Sequence, residues 1–181
     1  MTRWWAAVVL VLVLGGCASA PLGPPDPFPA RPADIDLNRL DPCATVSPES
    51  LRAAGVDPER RQVAAPVVGG KPTRLCDWGG YGSDFGFTVQ FFPSDAEQAV
   101  GADGAMIGEI EGYGTVRLTE RETIAPLCEI LVDTGESQLI RTQTQAADVE
   151  PPGPGSWIDK SCDRAVRLTA EVIRTARGLA A

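Results

Sequence analysis

The sequence predicts an α+β domain in which an antiparallel β-sheet carries a short N-terminal helix and a long C-terminal helix on one face, stapled by two disulfides. Consecutive strand patterns separated by glycine-rich or polar turns predict the antiparallel sheet. An amphipathic pattern at the end of the chain predicts the long helix. Because the helical segments lie outside the run of hairpins, the arrangement is typical of α+β folds rather than of alternating α/β folds.

The short helix is predicted by its two ends. Ser47-Pro48-Glu49 places a capping hydroxyl before a proline and an acidic residue, which is a favourable start for a helix. Gly55 is a suitable stop, so we expect a helix over residues 48–54.

The strands follow from alternating or continuous apolar runs between turn residues. A glycine-rich break separates the first two runs, and the turn Thr134-Gly135-Glu136-Ser137 separates the last two, so each pair predicts a hairpin. Between them, Ser94 is a candidate cap for a helical turn or short helix over residues 94–100. The predicted strands cover residues 73–78, 85–92, 114–119, 128–133 and 138–144.

The C-terminal helix is predicted by two opposite stripes of side chains at helical spacing. Its charged stripe consists of Lys160, Arg164, Arg167, Glu171 and Arg174. Its apolar stripe, which we expect to cover the sheet, consists of Ile158, Cys162, Ala165, Thr169, Val172, Ile173 and Ala176.

The N-terminus predicts export and lipid attachment. Arg3 precedes an apolar run over residues 4–14, which suits a signal peptide and is too short to span a bilayer. The run ends in Leu14-Gly15-Gly16-Cys17, which resembles the bacterial lipoprotein signal. The resemblance implies that the Cys17 thiol is acylated with diacylglycerol and that the chain is cut before it; the alternative is an ordinary secretory signal with an incidental Cys17. We therefore expect a signal peptide over residues 1–16, a lipidated Pro-rich tether over 17–38 and one extracytoplasmic α+β domain over 39–181, attached to the cell membrane.

The remaining four cysteines predict two disulfides, because disulfides persist in the oxidising space outside the cell membrane. Four cysteines allow three connectivities, and the sequence alone leaves them open. The pairing Cys43–Cys76 with Cys128–Cys162 is favoured because it closes two loops of similar length and ties predicted helices to predicted strands. No C-x-x-C spacing is present, so a metal site and a thiol-exchange motif are both disfavoured.

Composition excludes several classes of function. The 181-residue chain has a net charge of −8, which disfavours nucleic-acid binding because phosphate contacts need a basic surface. Histidine is absent, which removes Ser-His-Asp and Cys-His catalysis and every His-ligated metal site. The sequence thus indicates no catalytic residues, no metal and no cofactor.

Three local patterns have both a functional and a structural interpretation. The Asp133-Thr134-Gly135 motif matches an aspartic-protease motif, but a turn between strands explains the same residues. Trp78 and Trp157 lie near cysteines, where we expect core packing rather than a ligand pocket. Between Arg74 and Arg117 the chain has seven acidic residues and no basic one, which predicts an acidic face; the alternative is a binding site for calcium or a cationic ligand. The seven are Asp77, Asp84, Asp95, Glu97, Asp103, Glu109 and Glu111.

Several motifs together resemble a family of actinobacterial lipoproteins that is known only as domain of unknown function 3558. Asp41-Pro42-Cys43-Ala44 leads into the capped helix, and Cys76-Asp77-Trp78, Gly112-Tyr113-Gly114, the strand at Cys128 and the cysteine-bearing last helix follow in that family's order. The resemblance covers about residues 40–181. It implies an exported, lipid-anchored α+β domain with paired cysteines, and it implies no activity.

The function that the sequence favours is a non-enzymatic interaction module at the cell envelope, which binds an envelope or secretion protein through the acidic face. One alternative is a small-molecule or lipid-binding module with a pocket between sheet and helices, and another is an enzyme of unrecognised type. An exposed apolar patch favours the interaction module, whereas a closed apolar cavity with a few polar groups favours the ligand-binding module.

Overall fold

The computed structural model describes residues 25–79, 83–120, 125–147 and 156–181. Nine strands lie in these ranges, and all their pairings are antiparallel. The strands are β1 (Arg61–Ala64), β2 (Val67–Val68), β3 (Lys71–Pro72), β4 (Arg74–Trp78), β5 (Phe85–Phe92), β6 (Met106–Ile110), β7 (Tyr113–Glu120), β8 (Leu127–Gly135) and β9 (Gln138–Ala146).

Seven of the strands form one sheet in the order β1-β4-β5-β9-β8-β7-β6, and β2 pairs with β3 as a separate hairpin. Both predicted hairpins, β4–β5 and β8–β9, are confirmed. The pairing of β5 with β9 joins them at the centre of the sheet. Strands β1, β2, β3 and β6 were not predicted from the sequence. They are mostly exposed on both sides, so they lack the alternation that marks a half-buried strand.

Two helices cover one face of the sheet, which we call the helix face. Helix α1 (Pro48–Ala53) begins as predicted, with the Ser47 hydroxyl accepting the backbone N–H of Ser50 and Pro48 in the first turn. Helix α2 (Trp157–Ala180) lies across β8 and β9. The predicted apolar stripe of α2 is buried, and Thr169 meets Thr142 of β9 with 2.6 Å between the two hydroxyl oxygens. The predicted α+β arrangement is confirmed.

Both favoured disulfides are present and connect the helix-face layer to the sheet. Cys43, in a 3₁₀ turn at Pro42–Ala44, is bonded to Cys76 of β4, with 5.2 Å between the Cα atoms. Cys128 of β8 is bonded to Cys162 of α2, with 5.1 Å between the Cα atoms. Cys76 and Cys128 are fully buried, so both bridges lie within the core.

Residues 28–37, which we call the strap, pack against the end of the sheet instead of standing free. Phe28 is 8% exposed, and Ile35 and Leu37 are buried in the main core. The Arg31 guanidinium forms an ion pair with the buried Asp133 carboxylate, its Nη1 lying 2.8 and 2.7 Å from the two oxygens. Part of the segment that the sequence predicts as a tether therefore contributes to the folded domain.

The opposite face of the sheet, which we call the open face, has a smaller apolar cluster. Val116, Leu131 and Leu139 form its centre with Phe28 and Ala96. Ala96 belongs to a 3₁₀ helix at Ala96–Ala99, which confirms the predicted helical turn, but its N-cap is Asp95 and not Ser94. The Ser94 hydroxyl instead lies 3.2 Å from Oε1 of Gln98, one turn further on.

The predicted signal peptide, Cys17 and the start of the predicted tether lie outside the described residues. Within the described ranges, no helix is both long and apolar enough to cross a membrane.

Candidate functional site

The open face contains a groove between two projecting elements, which we call the sheet groove. Its floor comes from strands β5, β8 and β9. The 3₁₀ helix forms one wall, and the β2–β3 hairpin, held by a 2.8 Å hydrogen bond from Lys71 Nζ to the carbonyl of Pro93, forms the other. The groove has a volume of about 360 Å³ and is lined by Val68, Phe92, Ser94, Asp95, Gln98, Ala99, Glu129, Leu131, Leu139 and Arg141.

The floor of the groove is apolar because alternate residues of these strands point to the open face. Leu131 and Leu139 are buried, and Phe92 packs against their cluster. At the rim, Val68 of the β2–β3 hairpin is 45% exposed. Apolar surface therefore continues from the buried floor to solvent at one wall.

A charged network lies within this apolar floor. Nε and Nη2 of Arg141 donate to Oε2 of Glu129 at 2.8 and 2.6 Å, and Nε2 of Gln143 donates to the same oxygen at 2.6 Å. Nη1 of Arg141 donates to Oε1 of the buried Gln90 at 3.1 Å, and the guanidinium lies over the Phe92 ring, 5.8 Å from its centroid. These contacts hold both charged groups in fixed positions.

The network leaves acceptor capacity at the groove. Three donors converge on Oε2 of Glu129, while Oε1 has no hydrogen-bond partner among the residues that the structure describes. Asp95, at the wall, accepts the backbone N–H of Ser137 at one oxygen, 2.6 Å away. With Arg141 counted, the ionisable groups lining the groove sum to one negative charge.

Other hollows on the described surface are less suited to bind a partner. A hollow of about 340 Å³ between α1 and α2 is lined largely by the ends of charged side chains and by small residues. A hollow of about 500 Å³ beside β1 is lined by Val63, Leu40 and Leu75. Of its two cations, Arg74 is already bound by the carbonyls of Leu37 and Leu40, and Arg39 is 90% exposed to solvent. The sheet groove combines an apolar floor with a charged group that retains a free oxygen.

The predicted acidic side chains are dispersed rather than gathered at one point. Asp77 accepts a 2.5 Å hydrogen bond from Thr88 on the open face, and Glu111 forms an ion pair with Arg174 of α2 at 2.6 Å. Asp95 alone of the seven lines the groove. No three His, Cys, Asp or Glu side chains within the described ranges are placed to hold a metal ion.

The other residues that the sequence singled out have structural roles. Trp78 stacks on Phe87 with 6.1 Å between ring centroids and is buried in the core, as predicted. Trp157 is partly buried and packs against the core on Phe85, with 5.4 Å between ring centroids. Asp133 lies in strand β8 and not in the turn that the sequence predicted. Burial in this position raises the pKa of the Asp133 carboxyl despite the ion pair with Arg31.

Two of the five side chains in the charged stripe of α2, Arg164 and Glu171, are partly buried, and the other three are exposed. Arg164 is half-buried, with its guanidinium 3.8 Å from the centroid of the Phe85 ring and Nε donating to the carbonyl of Ala54 at 2.7 Å. Glu171 accepts the backbone N–H of Ser47 at 2.9 Å. These side chains therefore hold α1 against α2.

Sequence reasoning missed Glu129 and Arg141, although a signal for them was present. Each is a charged residue inside a predicted strand, flanked by buried positions. A regular hairpin with the two-residue turn Glu136-Ser137 would pair Val132 with Arg141. In the structure a bulge between Asp133 and Gly135 shifts the register by one residue, so Leu131 pairs with Arg141 and Glu129 becomes a diagonal neighbour of Arg141 on the same face.

Comparison with protein families matches residues 12–175 to the family described as "Protein of unknown function (DUF3558)". The match extends over the strap, the sheet and most of α2. Comparisons with curated proteins and with solved structures gave no match.

Proposed function

This chain belongs to the DUF3558 family of proteins of unknown function, and we propose that it is a lipid-anchored, non-enzymatic interaction module outside the cell membrane, which binds a partner protein in the sheet groove. The anchor is the diacylglycerol group on Cys17, inferred from the lipoprotein-like signal in residues 1–17. Anchoring by acyl chains suits an acidic protein, because anionic headgroups repel it and no basic surface is needed for attachment.

One observation carries the interaction role: the sheet groove is open, with an apolar floor and with Val68 exposed at its rim. A closed apolar cavity would favour a small ligand, whereas apolar surface that reaches solvent favours a protein partner. The described sheet also ends in two edge strands, β1 and β6, with Val63, Met106 and Ile107 more than half exposed. Such edges provide further contact surface beside a bound partner.

The non-enzymatic part of the proposal is supported by how the candidate reactive side chains are used. The Lys71 ammonium donates to a backbone carbonyl, and the Lys160 ammonium lies over the Trp157 ring, 4.5 Å from its centroid. The Asp133 carboxylate is bound by Arg31. Each of these side chains is thus engaged in a contact that stabilises the fold, and this contact explains its presence without a catalytic role.

The test is site-specific photo-crosslinking of the full lipidated chain in the cells that produce it. A benzophenone amino acid replaces Val68 at the rim of the groove in one variant, and Val166, which is exposed on α2, in the control. We expect a discrete protein adduct from position 68 and none of the same mass from position 166.

Two results would contradict the proposal. One is an absence of protein adducts at position 68 under conditions in which the variant is folded and membrane-bound. The other is a small molecule retained by the parent chain in native mass spectrometry after gentle extraction from its membranes, which would make it a ligand-binding module.

A further inference from the structure

We propose that the sheet groove recognises a lysine or arginine side chain of the partner polypeptide, flanked by apolar side chains. The inference rests on the proposed function and names the chemistry of the partner. It follows from the charge in the groove, from the shape of its floor and from the charge around its rim.

The charge in the groove favours a cation. Glu129 has one oxygen saturated by three donors and one oxygen that is free within the described structure, and its side chain is 14% exposed. Because this carboxylate is largely removed from water, its interaction with an incoming charge is screened less than that of a surface carboxylate. Asp95 adds a second carboxylate at the wall.

The same arrangement disfavours an anion. Arg141 is the cation of the groove, and its guanidinium is committed to Glu129 and Gln90. An incoming carboxylate would approach Glu129 and Asp95 together, and like charges that meet at an interface weaken binding. The groove therefore discriminates by charge.

The floor suits the stem of a long cationic side chain. Lysine and arginine bury their methylene stems on apolar surface while their charged ends reach polar groups. Phe92, Leu131 and Leu139 provide that surface beside Glu129. The Phe92 ring already makes a cation–π contact with the guanidinium of Arg141, which shows that the ring is placed to interact with cations in the groove.

The rim extends the same preference beyond the single side chain. Val68 offers exposed apolar contact to the residues that flank the cation. Glu97 on the 3₁₀ helix and Glu136 in the β8–β9 turn are exposed acidic side chains on the elements that border the floor. The β2–β3 hairpin contributes one cation, Lys71, whose ammonium is bound by the carbonyl of Pro93. A basic and apolar segment complements this surface in both charge and hydrophobicity.

The test measures the binding of defined peptides to the lipidated chain in phosphatidylcholine nanodiscs, which carry no net charge. The probe is a fluorescently labelled, end-blocked Gly-Val-Lys-Val-Gly peptide, compared with peptides in which glutamate or norleucine replaces lysine. We expect the lysine peptide to bind about tenfold more tightly than the norleucine peptide and the glutamate peptide to bind weakest, with the preference falling as salt rises.

Variants locate the effect in the groove. We expect Glu129→Gln to weaken binding of the lysine peptide about tenfold and to reduce its advantage over the glutamate peptide. Asp95→Asn, which keeps an acceptor for the Ser137 N–H, should weaken it about threefold. The matched control Asp163→Asn removes an exposed carboxylate on α2, which covers the opposite face of the sheet, and should leave the affinity unchanged. Urea unfolding of each variant checks that the fold is retained.

Equal binding of the lysine and norleucine peptides, tighter binding of the glutamate peptide, or parent-like affinity in both Glu129→Gln and Asp95→Asn would overturn the inference. If the adduct forms at position 68 but the peptides show no preference for lysine, the interaction role stands and the inferred cation recognition fails. If there is neither an adduct nor peptide binding, both fail.

Discussion

The contact between the strap and the open face can be tested by enlarging one of two touching residues, Gly114, and truncating the other, Phe28. Gly114 of β7 lies directly beneath Phe28, and a Cβ built at Gly114 would lie 2.5 Å from both Cβ and Cγ of Phe28. Real Cβ atoms do not approach other carbons so closely. Gly114→Ala therefore forces the strap away from the sheet at this point.

The size of the effect follows from the burial of Phe28, which is 8% exposed. Burying a phenylalanine side chain stabilises a fold by about 1.5–3 kcal/mol, and overpacking a filled site costs about 1–3 kcal/mol. We expect Gly114→Ala to lower the free energy of unfolding by about 2 kcal/mol and Phe28→Gly to lower it by about 3 kcal/mol.

The double variant distinguishes this contact from a general sensitivity of either position. Phe28→Gly removes the Cβ and Cγ atoms that clash with a new methyl group, so adding Gly114→Ala to it should cost less than about 0.5 kcal/mol. The assay is urea unfolding with both disulfides intact, and the coupling is read from a double-mutant cycle. Additive losses, summing to about 5 kcal/mol, would refute the packing of Phe28 on Gly114.

Three further predictions address the ion pair, the core and the anchor. Burial raises the pKa of the Asp133 carboxyl above its ordinary value of 3.8, so the contribution of Asp133 to stability falls as the pH rises through that region. Arg31→Met removes the ion-pair partner and raises this pKa further, so we expect the variant to lose about 1–3 kcal/mol of unfolding free energy at pH 7 and less towards pH 4. Urea unfolding at several pH values measures this loss, and a loss that does not change with pH would contradict the prediction. Thr142→Val should cost about 1–3 kcal/mol because it leaves the buried Thr169 hydroxyl without its Thr142 partner, whereas Thr169→Val should cost less because the Thr142 hydroxyl still donates to the carbonyl of Ile130, 3.5 Å away. The double substitution should cost less in thermal unfolding than the sum of the two single losses, and additive losses would argue against the hydroxyl pair. Cys17→Ala should move the chain from the membrane to the soluble fraction on centrifugation, and persistent membrane attachment would refute the lipid anchor.

Much of the fold could be predicted because its signals are local. The capped start of α1, the stripes of α2 and the two hairpins depend on residues within a few positions of one another. The disulfide pairing followed from loop length once the helices and strands were placed. The edge strands β1 and β6 could not be predicted, because a strand exposed on both sides shows no alternation of apolar and polar residues.

The candidate site was harder to predict because it is built from distant parts of the chain. Val68, Asp95 and Arg141 meet only when the β2–β3 hairpin, the 3₁₀ helix and the central strands are assembled. The acidic face expected from the sequence contributed Asp95 to this site. Glu129, whose free oxygen is central to the inferred recognition, was outside the run of acidic residues that the sequence analysis considered.

The sequence by itself determined the family and the secondary structure of the buried elements, since each depends on a motif or a periodicity that survives without tertiary contacts. It favoured one pairing of the four cysteines, and the structure has that pairing. The tertiary structure alone decided that the proline-rich segment from Phe28 onward packs as a strap, because Arg31 and its buried partner Asp133 are 102 residues apart in the chain. It also decided that Glu129 and Arg141 form a charged pair in an apolar groove. The local sequence around a charged residue does not specify what the opposite strand and the neighbouring elements place beside it, and that environment sets the strength of its interactions.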